Sequence, residues 1–234
     1  MEKLKKIVSN VIFYITIIAI TAAVFFLMIF VVMKLNVSAL ESRPKVLIDP
    51  GHGAEDGGAV SDSGLEEKGV NLSISLTLRE LLEASGCDVV MTRKDDAIPG
   101  EGATAKERLH DDFTKRLEMY NSADTNLVVS IHQNKFTQPQ YSGAQVFYSP
   151  NDPRSESLAL CIKRAFKGFL QPENEREITK AGSNIYLLNN CEKPCVLVEC
   201  GFLSNPEEAE LLSQEEYQRK VAFTIYCGIM EFLR

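Results

Sequence analysis

The chain is poor in histidine and poor in positive charge. Only three histidines (His52, His110 and His132) occur in 234 residues, and 25 lysines and arginines face 32 aspartates and glutamates, for a net charge of −7. The cations also gather at the start. Residues 1–44 hold Lys3, Lys5, Lys6, Lys34 and Arg43 against Glu2 and Glu41, a net of +3, so the remainder carries −10. An acidic domain without basic clusters excludes nucleic acid as a partner. No internal repeat or low-complexity tract is present, and the length suits one domain with an appendage. Six cysteines (Cys87, Cys161, Cys191, Cys195, Cys200 and Cys227) lack the spacing of a disulfide framework or a CxxC zinc knuckle. They read as free, buried, alanine-like residues, with Cys191 and Cys195 the one pair close enough in sequence to test.

One long apolar run is present. From Val11 to Met33 no residue carries a charge. At about 1.5 Å per residue this run spans roughly 34 Å, enough to cross a bilayer. Lys3, Lys5 and Lys6 precede it, which puts the N-terminus in the cytoplasm and the remainder outside. A signal-peptide core is shorter, about 7–15 residues. Val37-Ser38-Ala39 could be read as a cleavage site, but an uncleaved anchor is the expectation. The expected organisation is a cytoplasmic stub (1–10), a membrane span (11–33), a linker (34–44) and a globular domain (45–234).

Within 45–234, apolar runs alternate with helical segments. Strands are expected at 45–49, 88–92, 126–132, 142–149, 184–188 and 194–199. Helices are expected at 66–85, 106–122, 153–169, 206–213 and 215–233. The segment 66–85 has an awkward period, because Val70, Leu72, Ile74, Leu76 and Leu78 alternate as in a strand. Its length and the Arg79-Glu80-Leu81-Leu82 stretch favour a helix buried on more than one face. The loop 93–105 is long enough to be functional, and 133–141 is expected to rim the site. Alternating strands and helices imply an α/β fold, a three-layer αβα sandwich with a mixed sheet.

Three apolar strands end in a side chain able to bind metal or move a proton. Val46-Leu47-Ile48 leads into Asp49-Pro50-Gly51-His52-Gly53, Asn126–Ile131 leads into His132, and Pro194–Val198 leads into Glu199. Ligands in α/β sheets bind at the carboxyl ends of strands. His110 sits in a charged run and reads as solvated. A single His or Glu at a strand end is usually a satisfied polar group, but two of the three histidines occupy this one position. Two imidazoles and a carboxylate with one open coordination position suit catalytic zinc. His52, Glu67 and His132 are the expected ligands, with Glu199 left to move protons among the apolar Val198, Phe202 and Leu203. The two glutamates could exchange roles. A helix start lowers the pKa of Glu67 and favours it as a ligand, yet Glu66 sits beside it and pattern alone does not separate the two. Cys200 would need a histidine partner to act as a nucleophile, and the histidines have a better use.

These motifs resemble those of the zinc-dependent N-acetylmuramoyl-L-alanine amidases. The matching stretches are Asp49–Gly53, Gly64-Leu65-Glu66-Glu67-Lys68-Gly69-Val70-Asn71-Leu72, Thr92-Arg93, Ser130–Asn134 and Val198–Asn205. They run in order through 45–234. The resemblance implies zinc on His52, Glu67 and His132, Glu199 as the catalytic acid/base, and a mixed sheet of about six strands. It selects Glu67 over Glu66 as the residue directly before Lys68. It implies a peptidoglycan substrate, cut at the amide joining N-acetylmuramic acid to L-alanine. Gly69, in place of an acidic residue, and Gln133, in place of a small one, depart from the family pattern. The size, the single span, Ser142–Tyr148 and Asn184–Leu188 resemble its germination-specific members. That implies removal of stem peptides from spore cortex ahead of muramic-δ-lactam formation, on the outer side of a membrane (cell wall or forespore intermembrane space), with an activating accessory protein as a possible partner. The competing expectations are a zinc carboxypeptidase, with Arg93 or Arg116 holding a terminal carboxylate, and a non-catalytic or partner-gated wall-binding protein with loop 133–141 as a lid.

Overall fold

The structure, a computed structural model, describes residues 1–41 and 43–234, with the side chains of all of these but Leu4 and residues 35–41. Two compact units divide the chain, Met1–Arg43 and Pro44–Arg234. The first is a single helix, α1 (Glu2–Glu41). Within its stretch Lys5–Lys34 an 18-residue window has a mean hydropathy of 3.0 and no buried residue, and the helix is long and apolar enough there to cross a membrane. Thr16 and Thr21 donate their hydroxyls to the carbonyls of Ile12 and Ile17, so these two hydroxyls are satisfied within the helix. The helix runs on to Glu41, into residues that the sequence assigns to a linker.

The second unit holds a six-stranded sheet in the order β2-β1-β3-β6-β4-β5. The strands are β1 (Lys45–Pro50), β2 (Asp88–Met91), β3 (Leu127–Asn134), β4 (Gln145–Tyr148), β5 (Thr179–Lys180) and β6 (Cys195–Phe202). β2, β1, β3 and β6 are mutually parallel, and β4 runs antiparallel to β6. Successive strand residues point to opposite faces. Val46, Ile48, Val129, Ile131, Val196 and Val198 therefore join one core, and Leu47, Val128, Cys195 and Leu197 join the other. Helices cover both faces, which is why these strands read as unbroken apolar runs. α2 (Glu67–Ala84), α4 (Arg154–Ala165) and α7 (Glu215–Phe232) pack together on one side, and α3 (Ala105–Tyr120) packs with α5 (Tyr186–Asn190) on the other. α6 (Pro206–Leu212) follows β6. The expected αβα sandwich with a mixed sheet is present.

The ambiguous segment after Glu66 is helical. Glu67, Val70, Asn71, Ile74, Ser75, Leu78 and Leu82 are its buried residues, at helical spacing. Leu72 and Leu76, which suggested alternation, are half-buried at the flanks. A correction falls at 184–188. That stretch is not a strand but enters α5, and the strand is Thr179–Lys180, paired with β4. Leu188 is buried and Tyr186 exposed, and Ile185, three residues before Leu188, also packs against the core. A five-residue apolar run has no period long enough to separate the two states. The helix expected to end at 169 stops at Ala165 and continues as a π-helical turn, Phe166–Leu170.

Candidate metal centre

Strand β1 delivers His52 through a tight turn. His52 and Ala54 both adopt left-handed backbone, with φ of 65° and 49°. Such a conformation costs a non-glycine residue about 1–2 kcal/mol, and the surroundings hold it in place. Gly53 and Asp56 exchange backbone hydrogen bonds at 2.9 and 3.0 Å. Two buried arginines collect the carbonyls of the turn. Arg116 donates to Pro50 and His52 at 3.0 and 2.9 Å, and Arg93 to Pro50 and Gly51 at 3.0 and 2.9 Å. At Gly51 a Cβ would lie 2.2 Å from Cε1 of His132. The glycine is what lets the His132 ring lie against the β1 turn.

Glu67 stands between the two imidazoles. His52 Nε2 lies 3.2 Å from its Oε2 and His132 Nδ1 lies 2.9 Å from its Oε1. The two rings are edge-on, with centroids 5.0 Å apart. One ligand-capable atom from each of the three residues falls within 4.8 Å of the others. Glu67 opens α2, as its expected place at a helix start requires, and is buried. Its oxygens accept from the backbone N–H of Ala59 and Gln133 at 2.8 and 3.0 Å and from the Asn71 amide at 3.2 Å. Burial alone would raise its pKa. The hydrogen bonds and charges of His132 and His52 outweigh burial and hold the carboxyl well below the usual range.

Glu199 sits across the cleft. It pairs in register with His132 on β3 and with Gln145 on β4. Its Oε2 is buried without a hydrogen-bond partner. Burial raises its pKa to about 7, with the nearby charge of Glu67 adding to the rise and His132 and His52 opposing it. Two carboxyls in one site are thus driven in opposite directions, the pattern that separates a ligand from a proton carrier. Two imidazoles, a carboxylate already ionised and an unpartnered buried oxygen fit a zinc ion.

The structure brings His52, Glu67, His132 and Glu199 together, and leaves His110 exposed. Glu66 lies outside the cluster, half in contact with Lys68 at 3.8 Å. Sequence reasoning missed Asp56, whose Oδ2 is 2.7 Å from His52 Nδ1. A ligand histidine needs an acceptor for its second nitrogen, and a carboxylate four residues on in a glycine-rich turn was the signal. It also missed the buried network behind the site. Asp49 accepts from Thr92 and Ser130 at 2.6 and 2.8 Å, and from Tyr120 and Arg116. Burial would raise the Asp49 carboxyl, but the Arg116 guanidinium, with Thr92 and Tyr120, holds it far below its usual range. Arg116 also binds Asp112 at 2.8 Å. Arg93 and Arg116 are therefore occupied, and neither is placed to receive a substrate carboxylate. All six cysteines are free, five of them buried.

The αβα sheet thus carries a His-Glu-His group that could hold a metal ion, with a second glutamate able to move a proton beside it, an arrangement that suits a metal-dependent hydrolase. Comparison with known proteins narrows the class. The family model for N-acetylmuramoyl-L-alanine amidase matches residues 46–231. The chain belongs to that family, whose members cleave N-acetylmuramic acid from L-alanine in peptidoglycan. It is 39% identical over 189 residues to the germination-specific N-acetylmuramoyl-L-alanine amidase of Bacillus subtilis, covering 80% of this chain and 78% of that one. The CwlD amidase of Clostridioides difficile, solved in complex with the GerS lipoprotein, is 40% identical with a TM-score of 0.78, covering 82% of this chain and 98% of its own. AmiC2 of Nostoc punctiforme is 29% identical with a TM-score of 0.70, covering 81% and 97%.

Proposed function

We propose that His52, Glu67 and His132 hold a zinc ion and that Glu199 carries the proton in hydrolysis of the muramoyl–alanine amide. The observation that carries this reading is the opposed state of the two glutamates around one pair of imidazoles. A zinc ion in such a site supplies Lewis acidity and lowers the pKa of water to about 7. Glu199, whose carboxyl burial raises to about 7 in the metal-free site, takes the proton of the attacking water. It then gives that proton to the leaving nitrogen of L-alanine, which departs as an amine, and returns to its starting state. His52 is kept in one orientation by Asp56, and the β1 turn by Arg93 and Arg116.

The helix Lys5–Lys34 would anchor the domain on the outer side of a membrane, facing the wall. The likeness to germination-specific amidases supports action on spore cortex ahead of muramic-δ-lactam formation. The relative solved with a lipoprotein supports an accessory partner. Loop 133–141, the candidate lid, is tied at Phe136 N to Ser204 (3.0 Å) and at Pro139 O to Asn205 (2.9 Å).

The test is a digest of purified peptidoglycan by the full chain in detergent, loaded with zinc and read by mass spectrometry. Intact stem peptides beginning at L-alanine and glycans with unsubstituted lactyl groups are expected, and none from chelated protein. Release of single amino acids would establish a carboxypeptidase instead. A protein that binds no zinc refutes the ligand set.

A further inference from the structure

The arginines near the site are engaged, with one exception. Arg116 lies between Asp49 and Asp112, Arg93 spends its donors on carbonyls, and Arg108 pairs with Glu55. Arg176 differs. Its Nε donates to the Ser142 carbonyl at 2.7 Å and its Nη1 only reaches Gln145 Oε1 at 3.4 Å. Among the described residues Nη2 has no hydrogen-bond partner and no carboxylate lies within 4.0 Å of the guanidinium. Glu208, on the same wall, accepts from the backbone N–H of Gly143 and Phe202 at 2.9 and 2.8 Å and feels the charge of Arg176 without forming an ion pair with it. The guanidinium lies 4.5 Å over the Phe202 ring and 5.7 Å from that of Tyr141, and the two rings stack. Stacking fixes the plane of an arginine and leaves its edge donors free.

This arginine faces a cleft of about 190 Å³ lined by Asn134, Phe136, Tyr141, Gln145, Arg176 and Phe202. The cleft adjoins the metal centre. Gln145 is the direct cross-strand partner of Glu199. Asn134 lies two residues beyond His132 on β3, where both are half-buried and Gln133 between them is buried, so the two share a face. A planar fork of free N–H donors on an apolar shelf matches a carboxylate. Resting on the amidase reading, the substrate has an uncharged glycan side and a peptide side that carries carboxylates.

We propose that Arg176, laid on Phe202 and Tyr141, binds a carboxylate of the stem peptide, so that this cleft is the peptide-side subsite and selects peptides whose carboxylate is free. The domain is acidic overall, and an unpaired guanidinium next to Gln145, the cross-strand partner of Glu199, draws an acidic peptide into register with the scissile amide.

The test uses two soluble muropeptides that differ only in whether the peptide carboxylates are free or amidated, with the zinc-loaded full chain in detergent. Wild type is expected to favour the free acid in kcat/KM by about 10- to 100-fold, the range for a charged hydrogen bond. Arg176→Gln should bring the acid down to the level of the amide and leave the amide unchanged. Arg176→Lys should restore part of the preference, having the charge without the fork. Equal loss on both substrates, or a preference that survives Arg176→Gln, overturns the proposal. Calorimetric binding of both muropeptides to Glu199→Gln, with and without Arg176→Gln, separates the two readings. If wild type cleaves neither muropeptide, the amidase reading fails, while acid-selective binding lost with Arg176 still upholds the subsite and equal binding refutes it.

Discussion

The two banks of the cleft are built on opposite plans. On the β1, β3 and α2 bank the carboxylates that face the site and the turn carbonyls are matched, although the Gln133 side-chain oxygen on β3 and the Ser75 hydroxyl on α2 are not. Glu67 accepts from two backbone amides and the Asn71 side chain, Asp49 from four side chains, and the turn carbonyls from Arg93 and Arg116. On the β6 and β4 bank charge is left unmatched. Glu199 keeps a buried oxygen without a partner, and Arg176 keeps free donors. A matched group is held in one state and one position, as a metal ligand must be. An unmatched buried group is unstable in its charged form and responds to whatever enters. On the proposed reading the first bank holds the metal, and the second reacts and receives.

Breaking each bank should therefore fail differently. The largest effect is expected from the paired substitutions of the two glutamates. Glu67→Ala should abolish zinc binding, read by metal analysis of the purified protein, and turnover with it. Glu199→Gln should keep the zinc and lose about 10²- to 10⁴-fold in kcat, the usual reach of a general acid–base group. Zinc lost with Glu199 and kept without Glu67 would reverse the assignment. Next is the matched network. Arg116→Met leaves Asp49 buried without its cation and should cost about 3–5 kcal/mol in urea unfolding, with part of the loss recovered in Arg116→Met/Asp49→Asn.

The metal-free protein separates the banks by pH. Glu199 has a folded pKa of about 7 against an ordinary value of 4.5, so its contribution to stability is present below about pH 4.5 and is lost as pH rises through 7. Above pH 7 the neutral Glu199→Gln should be more stable than wild type by on the order of 1–3 kcal/mol without metal, and no more stable near pH 4. Glu67 and Asp49 have lowered pKa values, so what they contribute is lost in the other direction, as pH falls below the carboxylate range. A smaller effect is expected at Asp56. Asp56→Ala removes the acceptor that orients His52 and should weaken zinc binding by about 10- to 100-fold without unfolding the domain.

Much of this was legible in the chain. The three long parallel strands announce themselves because burial on both faces makes them continuously apolar, and His52, His132 and Glu199 stand toward their carboxyl ends. Glu67 was legible only as one of two neighbours until the family pattern selected it. The strand expected at 184–188 was misplaced because Asn-Ile-Tyr-Leu-Leu is too short to show a period, and the two-residue β5 carries no apolar signal at all. Asn71 stands in the sequence only inside a family motif, and Arg93 and Arg116 read at most as holders of a terminal carboxylate, since nothing local says that their side chains converge on the β1 turn.

What the sequence determined by itself is the alternation of strands and helices, the membrane-length helix ahead of them, and the candidates His52, His132 and Glu199, with Glu67 taken over Glu66 only through the family pattern. Each depends on neighbours within a few residues, through backbone period, turn chemistry and hydrophobic length. Only the tertiary structure decided which glutamate is ionised, which holds a proton near neutrality, and which arginine remains free. Those depend on desolvation and on partners brought in from other elements, as Arg116 is brought to Asp49 and His132 to Glu67, and a pKa or an unpaired donor exists only once those distances are set.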